Sequence, residues 1–156
     1  FPSGKAHLGD RAVSGILRDP KSVADFSFAE KFDLQLKHRA LIARLQQGDV
    51  AMPSGSMSAQ LMGELTVATE REVALIRIGN ERVLRLGIVD EYGHGVRLAD
   101  ADRVIAHTHV SGELRFSVGP DSDMAVFTNP LLNLTKQKSS VLIAPDGTAV
   151  RLPISR

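Results

Sequence analysis

The run Val104-Ile105-Ala106-His107-Thr108-His109 constrains this chain more than any other stretch. Apolar and β-branched residues in such a run favour an extended strand, and side chains two apart on a strand point to one face. His107 and His109 therefore project together from a strand end, which is how a strand presents two imidazoles to one metal ion. The polar loop that follows carries Ser117, Asp121, Ser122 and Asp123. A carboxylate from that loop would complete three protein ligands and leave the fourth tetrahedral position for water, the arrangement of a catalytic zinc site. The sequence contains no Cys, so thiolate ligands and disulfides are excluded and any metal must be held by His, Asp or Glu. The remaining histidines, His7, His38 and His94, read as ordinary surface or hydrogen-bonded residues, His94 in a loop between two glycines.

The rest of the chain supplies elements to carry this strand. Residues 1–20, rich in Gly and Pro, read as a loose leader with one helical turn near 11–17. Over 22–47 apolar residues recur at helical spacing, including Phe28, Phe32 and Leu36, and Gly48 stands where a helix would end. This predicts one amphipathic helix packed on a sheet. Pro53-Ser54-Gly55-Ser56 predicts a turn, and Met57, Leu61, Met62, Leu65 and Ala68 a second helix. From 72 the period becomes extended: a strand over 72–78, a turn at Gly79-Asn80, and a second strand over 81–89. Tyr92-Gly93-His94-Gly95 predicts a loop, 96–98 a short extended piece, and 103–107 the strand that ends in the histidines. Asp123-Met124-Ala125-Val126-Phe127 predicts a helix, with Pro130 forcing a kink or a fresh start. A hairpin over 140–153, turning at Pro145-Asp146-Gly147, closes the chain. The expected fold class is α/β (α+β): a mixed β-sheet with flanking helices in one compact domain, a leader and amphipathic helix over 1–56 preceding a core over 57–156.

Function classes are narrowed by what is missing. A formal net charge of +1, with cations and acids interspersed, makes nucleic acid an unlikely partner, since such binders carry a basic patch or stripe. No run approaches the roughly 18 apolar residues of a membrane span. A chain opening on Phe1-Pro2 reads as a piece of a longer polypeptide.

The motif resembles the JAB/MPN/JAMM metalloproteases, whose signature is a Glu on an early strand, then His-x-His, seven residues, Ser, two residues and Asp. His107-Thr108-His109 is followed by seven residues and then Ser117, which meets that spacing. The Asp departs from it. Asp123, at the head of an apolar helical run, is the better match, with Asp121 the alternate, and Ser122 competes with Ser117. Glu72 heads the apolar run Val73-Ala74-Leu75-Ile76 as the family's Glu does, with Glu70 second choice.

The resemblance implies a JAB/MPN (cytidine-deaminase-like) fold and a Zn2+ held by His107, His109 and Asp123, with Glu72 as proton carrier and Ser117 as oxyanion donor. It implies hydrolysis of a peptide or isopeptide bond in a protein or peptide substrate. The end of the chain is similar to the C-terminal domains of bacterial polymorphic, Rhs-type toxins. That implies a secreted or delivered effector acting in a target cell, and a cognate immunity protein. Three other readings compete: an inactive binding module of the same fold, an interaction domain with a coincidental His-x-His, and a metal-dependent nuclease.

Overall fold

The computed structural model describes residues 20–91 and 93–155. After a 3-10 turn at Val23–Asp25, two helices follow, α1 (Phe28–Lys37) and α2 (Arg39–Gln47), then strand β1 (Val50–Ala51) and helix α3 (Ala59–Thr69). Strands β2 (Val73–Ile78), β3 (Glu81–Leu86), β4 (Ile88–Asp90), β5 (Gly93–Gly95) and β6 (Arg103–Thr108) come next. Helix α4 (Asp123–Thr128), a 3-10 turn at Asn133–Lys136, and strands β7 (Ser139–Ile143) and β8 (Ala149–Pro153) complete the chain. Six strands form one mixed sheet in the order β1-β3-β2-β6-β7-β8. Among the described residues only β6 and β7 run parallel, and α4 and the second 3-10 turn lie in the connection between them. The fold is thus a mixed sheet with flanking helices. Among the described residues no helix is long and apolar enough to cross a membrane.

Alternation along the strands divides the core between the two sheet faces. Leu75, Leu84, Ala106, Val141 and Ile143 pack with Met62 and Leu65 of α3, and Leu45 of α2 and Val50 share that cluster. Ala74, Ile76, Val83 and Val104 pack on the other face with Phe127 of α4 and Leu134. Helix α3 sits so close to the hairpin loop between β7 and β8 that a Cβ on Gly63 would lie 2.7 Å from the Pro145 carbonyl oxygen and 2.9 Å from the Gly147 nitrogen.

The single helix expected over 22–47 is two helices. A capping box starts α1 at Phe28: the Ser27 hydroxyl accepts from the Glu30 N–H at 3.1 Å, and the Glu30 carboxylate accepts from the Ser27 N–H at 2.9 Å. The chain breaks at His38, where φ is −109° and ψ 19°, and the His38 ring nitrogen lies 2.7 Å from Glu64 of α3. The expected packing of this segment on the sheet fails for its first half. Helix α1 leans on α3 through polar contacts instead: Lys31 with Glu70, Lys37 with Glu64, and the Gln35 amide with the Ala68 carbonyl. Phe28, Phe32 and Leu36 are left exposed at 76, 50 and 53%, so their helical spacing marks an outward stripe.

The strand expected over 81–89 also divides. It ends at Leu86, and Ile88–Asp90 pairs with Gly93–Gly95 in a separate two-stranded ribbon, so the segment expected as a loop around His94 is a strand. Gly87 makes the break possible: a Cβ there would meet the Gly95 and Glu72 carbonyl oxygens at 2.5 and 2.7 Å. Residues 96–98 form no strand, and α4 ends two residues before Pro130. The helical turn expected near 11–17, and His7, lie outside the described residues.

Gly63 gives a direct check on this packing. Ala is the better helix former by about 1 kcal/mol, yet Gly63→Ala should destabilise the protein by about 1–3 kcal/mol through overpacking against backbone. Urea unfolding would measure the loss.

Candidate metal centre

The site is set by the pairing of β2 with β6. Ala74 lies opposite His107 and Leu75 opposite Ala106, so His107 shares the face of Ala74 while Ala106 turns toward α3. Continued by two residues, the same register brings Glu72 level with His109. Thr108, pointing to the face opposite the two histidines, fixes the strand end. Its Oγ1 accepts from the Val73 N–H at 2.9 Å and lies 2.6 Å from the Thr66 Oγ1 of α3. On the other side the His109 N–H donates to the Ile143 carbonyl of β7 at 3.1 Å.

His107, His109 and Asp123 converge, all three buried, with one ligand atom from each within 4.8 Å of the others. The Nε2 of His107 lies 3.1 Å from Asp123 Oδ1, and the Nε2 of His109 lies 3.0 Å from Oδ2. The His107 contact is out of line for a hydrogen bond, and both ring nitrogens of His107 are buried without a hydrogen-bond partner. The Nδ1 of His109 faces the Glu113 carbonyl at 2.9 Å. A carbonyl can only accept, so Nδ1 carries a proton, and Nε2 is the nitrogen turned to Asp123: without a metal it donates to the carboxylate, and on losing that proton it presents the lone pair that metal-ligating histidines use. Two imidazole lone pairs and a carboxylate pointed at one another need a cation among them, either protons or a metal ion. The donor set fits a divalent metal.

Electrostatics in the metal-free protein express the same need. Burial opposes ionisation of Asp123, but the charge of the nearby His107 ring and hydrogen bonds from His109 and the Ser117 N–H overcome it and hold the carboxyl well below the usual carboxylate range. Burial also disfavours the His109 imidazolium. Hydrogen bonding and charge from Asp123 outweigh this, the Glu72 charge adds to them, and the His109 pKa is raised. Burial pushes the partly buried Glu72 carboxyl up to about 7; the His107 and His109 charges oppose the rise and the Asp123 charge adds to it.

Glu72, His109, Ser117, Asp121, Ser122 and Asp123 line one cavity of about 200 Å³, with His107 buried behind it. Ser117 and Asp123 lock each other: the Asp123 N–H donates to the Ser117 Oγ at 2.8 Å and the Ser117 N–H to Asp123 Oδ2 at 3.0 Å. The Ser117 hydroxyl proton is left to donate elsewhere. Ser122 differs, because its hydroxyl caps α4 by accepting from the Ala125 N–H and donates to the Gly119 carbonyl. Asp121 is exposed, with a left-handed φ of 57°, and stands outside the three-ligand group. Glu70 is outside the cavity: it ends α3 in a left-handed conformation and pairs with Lys31 at 2.8 Å.

Three contributors have no readable sequence signal: Thr108 with Thr66, and the Glu113 carbonyl, which act through tertiary contacts. His94 is the reverse case. Its place between glycines suggested an ordinary loop histidine, and the ribbon carries it to the cavity rim.

Two outcomes follow from this geometry. Replacement of His107 by Ala should abolish stoichiometric metal binding while the protein stays folded, measured by metal analysis after dialysis. Glu72→Gln should stabilise the metal-free protein in a pH-dependent way. With a folded pKa of about 7 against an ordinary 4.5, the folded state holds the proton that the unfolded chain has lost, so ionising Glu72 costs stability as pH rises from 4.5 to 7. The gain on removing it should be on the order of 3 kcal/mol at pH 8 and absent at pH 4, read by thermal unfolding.

No protein-family model matches the chain, and neither a curated protein nor a solved structure matches it.

Proposed function

We propose that this protein is a zinc-dependent hydrolase of amide bonds, with a peptide or isopeptide as substrate. The observation that carries the reading is the buried His107, His109 and Asp123 group opening onto a cavity lined by Glu72 and Ser117. Two histidines with one carboxylate suit Zn2+, and three protein ligands leave room for a catalytic water. Bound there, the ion would supply an acidified water, its pKa lowered from about 15.7 toward about 7, and polarise a carbonyl. Support for the JAB/MPN fold is the order of parts: Glu72 before β2, the paired histidines at the end of β6, and Asp123 at the head of α4.

The chain's own residues then divide the work. Glu72 takes the proton of the attacking water and delivers it to the departing amine, for which a carboxyl titrating near neutrality is suited. Binding of a cation beside it will pull that pKa down from its metal-free value. The Ser117 hydroxyl donates to the developing oxyanion, while its Oγ and N–H keep Asp123 oriented. His109 is held in its ligating tautomer by the Glu113 carbonyl. In this reading the chain is the toxic tip of a delivered effector, and an immunity protein is its natural antagonist.

Zinc-loaded protein should cleave members of a fluorogenic peptide and isopeptide panel. Glu72→Gln should lose turnover while keeping its zinc, and full activity of that variant would remove Glu72 from the mechanism. Ser117→Ala should lower kcat about 10²–10³-fold, the range seen when one oxyanion donor is removed. Ser122→Ala should instead cost about 1 kcal/mol of stability as a lost helix cap. Failure of the protein to take up stoichiometric zinc would end the enzyme reading.

A further inference from the structure

A second concavity shares no lining residue with the metal cavity and, at about 620 Å³ against about 200 Å³, is the larger of the two. It runs between α2 and the junction of β3 with β4, closed at one end by the last turn of α3. Its floor is apolar: Leu45 is buried, Ile42 and Leu86 are half-buried, and Ile88 at the open end is 58% exposed. Its charged lining residues are Arg39 and Arg71, and no Asp or Glu lines it. Among the described residues neither arginine forms an ion pair. Arg71 reaches only the Gly87 carbonyl, at a long 3.5 Å.

The geometry points to this groove as a docking site for an acidic, amphipathic segment of a partner polypeptide. The argument is charge complementarity over an apolar floor. A guanidinium presents a planar fork of donors that matches a carboxylate in two parallel hydrogen bonds, and here two such forks, neither in an ion pair among the described residues, stand beside aliphatic surface. Arginine beside apolar side chains is also the composition that marks protein interfaces. A nucleic acid would want a run of cations tracking its phosphates and little use for Ile88 or Ile42, and a net charge of +1 provides no such field. An occupant would rest on the segment that steadies Glu72: Arg71 is its neighbour, and the Gly87 N–H donates to the Glu72 carbonyl at 2.7 Å.

Three labelled twelve-residue peptides test this on the full chain by fluorescence anisotropy, each with Leu at every third position and Glu, Gln or Lys at all others. The Glu peptide should bind at least about tenfold more tightly than the Gln peptide, the equivalent of about 1.4 kcal/mol. Arg39→Glu with Arg71→Glu should reverse the preference toward the Lys peptide, and Ile88→Ser, at an exposed position, should weaken the Glu peptide without reversing it. Thermal unfolding of each variant establishes that it is folded, with the pair Arg39→Gln and Arg71→Gln available should the reversal variant not fold. Asp121→Asn, at the metal cavity but outside the three-ligand group, should leave peptide binding unchanged, which separates this groove from that cavity, and a loss of binding there would overturn the assignment. Equal binding of the Glu and Gln peptides, or unchanged affinity in the arginine variants, would overturn the assignment. So would tighter binding of a twelve-nucleotide single-stranded DNA than of the Glu peptide.

Discussion

Two imidazoles and a carboxylate held face to face in a buried place are costly unless a cation lies among them, and much of the structure serves that arrangement. Burial alone would push Asp123 toward its neutral acid and His109 toward its neutral ring. The surroundings oppose this. The Ser117 N–H donates to the Asp123 carboxylate, and the Glu113 carbonyl accepts from His109 Nδ1 and turns Nε2 inward to Asp123. His107 has no such relief, with both ring nitrogens buried and unbonded, so it gains most from a ligand. A buried polar group without a partner costs roughly 1–3 kcal/mol, a cost that a cation bound between His107 and Asp123 would relieve.

The scaffold supports this cluster by dividing labour between the faces of β6. His107 faces α4, and Thr108 faces α3, where it ties Thr66 to the start of β2. One hydroxyl thereby holds the strand with Glu72 at its head against the strand that carries the histidines. The parallel neighbour β7 completes the clamp through the Ile143 carbonyl. Precision at the site thus comes from sheet pairing, which is stiffer than the loop that delivers Ser117 and Asp123, and the reciprocal Ser117–Asp123 bonds compensate for that loop.

The edges of the molecule follow a different logic. The first helix meets α3 through ion pairs and an amide contact, leaving Phe28 and Phe32 stacked in solvent with ring centroids 6.4 Å apart. The β4–β5 ribbon projects Ile88 and Val89, each more than half exposed. Helical or strand periodicity states only that apolar residues share a face; it does not state which way that face turns. That is the physical reason the segment over 22–47 reads as a core helix in sequence and stands partly outside the core.

What the sequence by itself determined is local: the strand that ends in His107-Thr108-His109, the helix that carries Leu61, Met62, Leu65 and Ala68, the Gly79-Asn80 turn, and the closing hairpin all follow from spacing and turn chemistry confined to neighbouring residues. It also limited the metal ligands to His, Asp and Glu by containing no Cys. Tertiary structure decided what depends on residues far apart in the chain. Asp123 and not Asp121 meets the histidines because the Ser122 cap turns Asp123 inward at the first position of α4. Ser117 and not Ser122 has a hydroxyl proton left to donate, since Ser117 Oγ accepts from the Asp123 N–H whereas Ser122 spends its proton on the Gly119 carbonyl. Glu72 joins the site and Glu70 does not because Glu72 immediately precedes β2, which pairs with the histidine strand, whereas Glu70 ends α3 and is drawn away by Lys31. Sequence spacing names the candidates; hydrogen bonds and strand register, set by distant partners, choose among them.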